Sequence, residues 1–232
     1  MKVIATVRTL NEQNNIGNFC HSYKNIADKV LVADGGSTDN TVQIAKSFPN
    51  VEVRDFKKRV KLFKSYWRNP HGEHINFLID WAIDEGADWI IFDDCDCLPN
   101  YALKNDARTI FKITEHDFVF VTRLYLWGTD KHFPKMAKIT GDWTPSLWAW
   151  RANLDFRASE TDPLRHEFTL DISKVDKENL MPPYCLLHYF VPTPEIASRK
   201  LQWYRESGQH LGMKPQLETG GELSPLPEWA RR

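Results

Sequence analysis

Long apolar runs are missing from this chain. None approaches the roughly 20 residues that a membrane-spanning helix needs, so no such helix is expected. No secretory leader is expected either: Met1-Lys2 runs straight into Val3-Ile4-Ala5-Thr6-Val7, which reads as a strand. Net charge is only -1, so no bulk field gathers nucleic acid, and no nucleic-acid partner is expected. Cysteine is sparse. Cys20, Cys95, Cys97 and Cys185 lack the paired spacing of a zinc site. They are expected as reduced thiols of a cytoplasmic protein, with metal–thiolate ligation the lesser reading. No internal repeat is visible.

What is present suits an ordinary globular domain: 42% hydrophobic and 26% charged over 232 residues. Trp is abundant at 9, and most of these rings are expected in the core. Val3–Val7, Lys29–Ala33 and Val51–Val53 read as strands. Between them lie helical patterns over 14–27, with Ile16, Phe19, Cys20, Tyr23 and Ile26 in phase, and through Val42, Ile44, Ala45 and Phe48. Ser37 or Asp39 can cap the second helix. This βαβαβ order predicts a parallel sheet with right-handed crossovers. A helix over Ile75–Ala87, a strand from Trp89, a helix from Pro99-Asn100 toward Ile113 and a strand at Phe118–Val121 follow. Beyond Gly128 the pattern loosens. Pro182-Pro183 is expected to break the chain before Tyr184–Phe190, a helix is expected from Pro194 or Glu195 to about Glu206, and the stretch from Lys214 reads as a peripheral tail.

Ile90-Ile91-Phe92-Asp93-Asp94-Cys95-Asp96 carries the chemistry. An apolar strand ending in acid puts charge at the sheet edge where open α/β folds bind ligands. Asp94 and Asp96, at i and i+2 of an extended segment, point the same way and can hold a hard divalent cation. A solvated acidic turn is the alternative. A second feature is Lys57 to Arg68, basic throughout with Val60, Phe63 and Trp67 at helical spacing. It reads as a solvated loop, as an anionic-membrane or anionic-acceptor surface, or as a phosphate-binding flap.

Three segments together resemble glycosyltransferase family 2, of GT-A fold: Thr6-Val7-Arg8-Thr9-Leu10-Asn11-Glu12, Val32 through Thr41 around Asp34-Gly35-Gly36-Ser37-Thr38-Asp39, and Asp88 through Asp96. The resemblance implies an α/β fold, a Rossmann-like, mostly parallel sheet flanked by helices with an irregular C-terminal acceptor region. It implies one domain over 1–213, divided into a nucleotide-sugar-binding half (1–127) and an acceptor half (128–213), with 214–232 peripheral. It further implies sugar transfer from a nucleotide-diphosphate donor, UDP favoured, to a hydroxyl of a glycan or glycolipid, with inversion. Val7, Arg8, Thr9, Asn11, Glu12, Asp34, Ser37, Asp93 and Asp94 would serve the nucleotide, and Asp94, Asp96 and His188 would hold Mn²⁺ or Mg²⁺. Arg165-His166-Glu167, His188 and Lys200 through Tyr204 look like the subgroup of lipopolysaccharide-core glucosyltransferases. That match makes Glu167 the preferred general base, with Asp162 and Glu160 as the other candidates.

Each assignment has a plainer counterpart. Asp34 can serve only an Asx-turn into Gly35-Gly36, His188 can be a core histidine, and Glu167 a surface carboxylate. Three departures stand out: Arg8 replaces a small or hydroxyl residue, Asp93 adds a carboxylate ahead of the pair, and the basic stretch replaces a short link. A nucleotidyltransferase is the rival enzyme class, but Arg8-Thr9-Leu10-Asn11 lacks its glycine-rich phosphate loop. A non-catalytic sugar-nucleotide-binding protein is the other.

Overall fold

A computed structural model describes residues 1–63, 66–127, 132–134, 145–161, 169, 171, 174–191, 223–225 and 228–230. The elements run β1 (Val3–Thr9), α1 (Ile16–Tyr23), β2 (Lys29–Asp34), α2 (Thr41–Lys46), β3 (Val51–Asp55), β4 (Val60–Phe63), β5 (Tyr66–Arg68), α3 (His71–Asp84) and β6 (Trp89–Phe92). Then come β7 (Cys97–Pro99), α4 (Tyr101–Ile113), β8 (Phe118–Trp127), β9 (His132–Pro134), β10 (Pro145–Arg151), β11 (Lys177–Val191) and β12 (Leu223–Pro225), with a 3-10 turn at Glu228–Ala230.

The central strands are continuous apolar runs because both of their faces are covered. Alternation sends Val3, Ala5, Val7, Val30, Val32, Trp89 and Ile91 to one face, where Phe19 and Tyr23 of α1 and Leu103, Ala107 and Phe111 of α4 meet them. Ile4, Leu31, Ala33 and Ile90 go to the other face, against Ile75, Leu78 and Trp81 of α3. Trp148 and Trp150, two apart on β10, enter opposite cores, and both are fully buried, as are Trp81 and Trp89.

The main sheet has the order β3-β2-β1-β6-β10-β8-β11-β7. β3, β2, β1 and β6 are mutually parallel, as expected from the βαβαβ pattern. β10 lies antiparallel between β6 and β8, β11 is parallel to β8, and β7 is antiparallel to β11. Strand order reverses at β1, where β2 lies on one side and β6 on the other. A ligand crevice belongs at the carboxyl ends of strands at such a switch point.

Several expectations are corrected. Within the basic stretch, β4 and β5 pair antiparallel between β3 and α3, so Val60, Phe63 and Trp67 lie on strands although their spacing also suits a helix. Pro182-Pro183 does not break the chain, because β11 runs through both and absorbs them in a register shift between Leu180 and Cys185. The expected helix at 194–206 lies outside the described residues. Of the stretch 214–232, residues 223–225 and 228–230 are described: β12 pairs with β9, and Ala230 is buried in a cluster with Leu124, Leu126, Cys185 and Leu187.

Candidate active site

The floor of the crevice is two laced turns. The Asp34 carboxylate ends β2 and is 3% exposed. It accepts from the Gly36 and Ser37 amides at 2.9 and 2.8 Å, and from the hydroxyls of Ser37 and Thr9 at 2.5 and 3.1 Å. These four bonds use about all of the lone-pair positions that a carboxylate offers. Asp34 is therefore the organiser of the turn first. The Asn11 amide donates to Ser37 Oγ at 2.8 Å, the Thr38 amide donates to Asn11 Oδ1 at 2.8 Å, and the Glu12 amide donates to Thr41 Oγ1 at 2.7 Å. Asn11 takes a left-handed φ of 58°, a conformation that Asn tolerates better than most residues. Asp39 accepts from the Thr41 amide at 3.0 Å just ahead of α2, but the N-cap position is Asn40 and carries no side-chain cap bond, so neither Ser37 nor Asp39 is the cap. Val7 is wholly buried inside β1, opposite Val32 of β2.

The basic stretch closes over this floor from the other side. Arg59 donates to the carbonyls of Gly35 and Gly36 at 3.1 and 3.2 Å, while Asn69 donates to those of Phe56 and Lys58. Lys57 pairs with Asp55 at 3.4 Å, and Lys58 with Glu73. Lys57 and Lys58 are thus compensated by acid, while Arg59 meets backbone carbonyls.

His74 lies beneath, its Nε2 2.9 Å from the Ala33 carbonyl and its ring stacked 4.2 Å from Phe56. Burial, with a smaller push from the Arg8 charge, lowers its pKa to about 4. The unfolded chain, whose His titrates near ~6.5, then takes up a proton before the folded one. The stability tied to neutral His74 is present above ~6.5 and is lost as pH falls toward about 4. In urea unfolding from pH 7 to pH 5, His74→Gln is expected to lose about 2 kcal/mol less than the parent. Equal losses would show that His74 is not held neutral.

At the end of β6 the chain leaves the extended state. The Cys97 amide donates to the Asp94 carbonyl at 2.9 Å, closing a turn over 94–97. The i, i+2 argument for Asp94 and Asp96 assumed a continuing strand and is corrected. Asp94 faces two arginines, Arg8 at 3.4 Å and Arg123 at 3.8 Å. Asp96 faces His188 instead, with Oδ1 3.3 Å from Nε2. Ligand atoms of Asp96, Cys97 and His188 all lie within 4.8 Å of one another. An oxygen, a sulfur and a nitrogen at that spacing can converge on one ion, since metal–ligand bonds run about 2.0–2.3 Å. Of the expected metal ligands, Asp96 and His188 are brought together, and Asp94 stands apart in its ion pairs.

Asp93, expected at the nucleotide, is corrected to an anchor. It is fully buried and accepts from Arg123 at 3.0 Å, from Tyr23 Oη at 3.1 Å and from the Asp94 amide at 3.0 Å. Trp148 Nε1 in turn donates to Tyr23 Oη at 3.3 Å. Burial pushes the Asp93 carboxyl up to about 6, against the Arg123 guanidinium, which holds it down. Arg123 was not singled out from sequence, although a lone charge inside the apolar run of β8 was the available signal. Burial also raises the Cys97 thiol well above its ordinary range.

Glu160 is exposed and accepts from Asn76 Nδ2 at 2.7 Å. Asn76 also clamps Ala158 through both its amide and its carbonyl, fixing that chain against α3. Asp162 and Glu167 lie outside the described residues, as do Arg165, His166 and Lys200 through Tyr204.

Residues 5–164 match the sequence profile described as glycosyl transferase family 2. The chain belongs to that family. A relative, the SPbeta prophage-derived glycosyltransferase SunS of Bacillus subtilis (strain 168), is 31% identical over 106 residues, covering 45% of this chain and 22% of SunS. An uncharacterized glycosyltransferase of Rickettsia typhi, RT0209, is 30% identical over 118 residues, covering 50% of this chain and 36% of that protein. This chain thus matches well under half the length of either relative. Among solved structures, S. aureus TarS 1–349 in complex with UDP-GlcNAc superposes with a TM-score of 0.54 at 16% identity, over 94% of this chain and 70% of that one. The same fragment with UDP gives 0.55. The fold is therefore the GT-A fold of those neighbours.

Proposed function

We propose that this family 2 chain transfers a sugar from a nucleotide-diphosphate donor to a hydroxyl of a glycan or glycolipid. The observation that carries the reading is the Asp96–His188 pair beside Asp94 and Arg8, at the carboxyl ends of β1 and β6. Uridine is the favoured base, supported by the UDP and UDP-GlcNAc complexes of TarS. Asp96 and His188 would hold Mn²⁺ or Mg²⁺. When bound, the ion supplies charge neutralisation to the leaving diphosphate.

The chain's own residues do the rest. The turn held by Asp34, Ser37, Asn11 and Thr9 gives the base a rigid seat, and Glu12 ties that seat to α2. Arg8 adds positive charge at the same edge and holds Asp94 meanwhile. Inversion requires a base across the anomeric carbon from the diphosphate. Glu167, or failing it Asp162, is proposed for that proton. The hairpin side of the crevice is proposed to meet the acceptor, including an anionic, membrane-borne one, from a cytoplasmic position. Among the described residues, no helix is long and apolar enough to cross a membrane.

A panel of UDP-, GDP- and dTDP-sugars with Mn²⁺, read as nucleotide release and thermal shift, tests the reading. A UDP-sugar is expected to respond most. Asp34→Ala is expected to weaken UDP binding by about 1–3 kcal/mol, through the loosened turn and its unpaired donors. Silence across the whole panel would overturn the proposal.

A further inference from the structure

We infer that Cys97 is an ion ligand, so that the site prefers a thiophilic divalent cation to Mg²⁺. The inference rests on the ion-binding reading above and adds a third donor to it. Asp96 and His188 would make an oxygen–nitrogen site of ordinary character. The residue next to Asp96 changes that character.

Cys97 opens β7 directly opposite His188 of β11 in the antiparallel register. Residues opposite one another in an antiparallel pair share a face. The Tyr189 amide donates to the Asp96 carbonyl at 2.8 Å, and the Asn100 amide donates to the Cys185 carbonyl at 3.0 Å. Hydrogen-bonded pairs therefore fall at 96/189 and 100/185, which makes 97/188 one of the intervening pairs, whose side chains stand closer. Cys97 and His188 are thus delivered to one point by backbone geometry, and the turn over 94–97 brings the Asp96 carboxylate to the same point.

The scaffold behind the pair is rigid. Asn100 caps α4 by accepting from the Leu103 amide at 3.1 Å, and its Nδ2 donates to the Pro183 carbonyl at 2.8 Å. One side chain thereby fixes β7, α4 and β11 together. Cys97 is wholly buried and His188 nearly so, at 8% exposed. A dry thiol beside an imidazole suits Co²⁺, Zn²⁺ or Cd²⁺, whereas Mg²⁺ prefers an all-oxygen shell with several waters. As the sulfur–metal bond forms, the thiol proton leaves to solvent.

Cobalt titration of the full chain, without donor, tests this. The expected result is saturable Co²⁺ binding with an intense near-ultraviolet thiolate-to-cobalt charge-transfer band. Cys97→Ser is expected to lose that band and to bind Co²⁺ on the order of 10-fold or more weakly, with Mg²⁺ affinity little changed. Cys95→Ala, a neighbouring buried thiol, is expected to keep the band. Co²⁺ bound to the parent chain without the band overturns the thiol ligand and leaves the Asp96–His188 site standing. No saturable Co²⁺ binding at all overturns both. The parent spectrum decides the matter even if Cys97→Ser fails to fold.

Discussion

Asp96→Asn is expected to abolish ion-dependent donor turnover, with the fold intact. The carboxylate sits 23% exposed at the crevice, so its loss removes a ligand without opening the core. An ion at a leaving diphosphate is worth several kcal/mol, which corresponds to a fall of about 10²–10³-fold or more in kcat/KM. His188→Ala is expected to act in the same direction, because its Nε2 lies 3.3 Å from the same carboxylate. Steady-state nucleotide release with saturating cation gives the rates, and thermal melting of the apo chain gives the control. A fall of less than ~3-fold, or one tracking a lower melting temperature, would return Asp96 to an acidic turn.

Arg123→Met is expected to cost about 3–5 kcal/mol of stability at neutral pH. Its guanidinium is the cation facing Asp93 at 3.0 Å, and Asp93 is wholly buried. Removing one partner of a buried pair leaves a charge with no water to take it. Adding Asp93→Asn is expected to restore a large part of the loss, since the neutral amide needs no counter-ion. The single variant's penalty should also shrink as pH falls, because a buried lone carboxyl is relieved by protonation. Urea unfolding of the parent, the single and the double variant measures each quantity. A loss below ~1 kcal/mol for Arg123→Met, the range of exposed pairs, would contradict the anchoring role.

These two sites differ in how far the sequence disclosed them. The βαβαβ half was legible because its strands are buried on both faces, and such strands read as unbroken apolar runs. The acid at the end of β6 was legible for the complementary reason: charge at the end of a buried run belongs at an edge. The direction of that acid was not. Periodicity gives side-chain direction only while the chain stays extended, and a turn begins at Asp94. Asp93 therefore went inward to Arg123, and Asp96 went to His188.

Partners delivered by long-range pairing were harder still. Cys97 and His188 meet only because β7 and β11 share a register that no local pattern encodes. The family resemblance supplied His188 and was silent on Cys97. β10 escaped notice because a bulge between Leu147 and Ala149 breaks its alternation, so Trp148 and Trp150, two apart, enter opposite cores and produced no single-face pattern. The hairpin of β4 and β5 was obscured by basic residues between its apolar ones, a spacing that helix and strand share over so short a run.

The most direct test of the ion-assisted donor site is calorimetric titration of UDP into the parent chain, with and without a saturating divalent cation. Affinity is expected to rise at least ~10-fold with the cation, as Asp96, His188 and the diphosphate would share one ion under the proposed reading. Equal affinity in both titrations would contradict a metal-bound donor at Asp96 and His188.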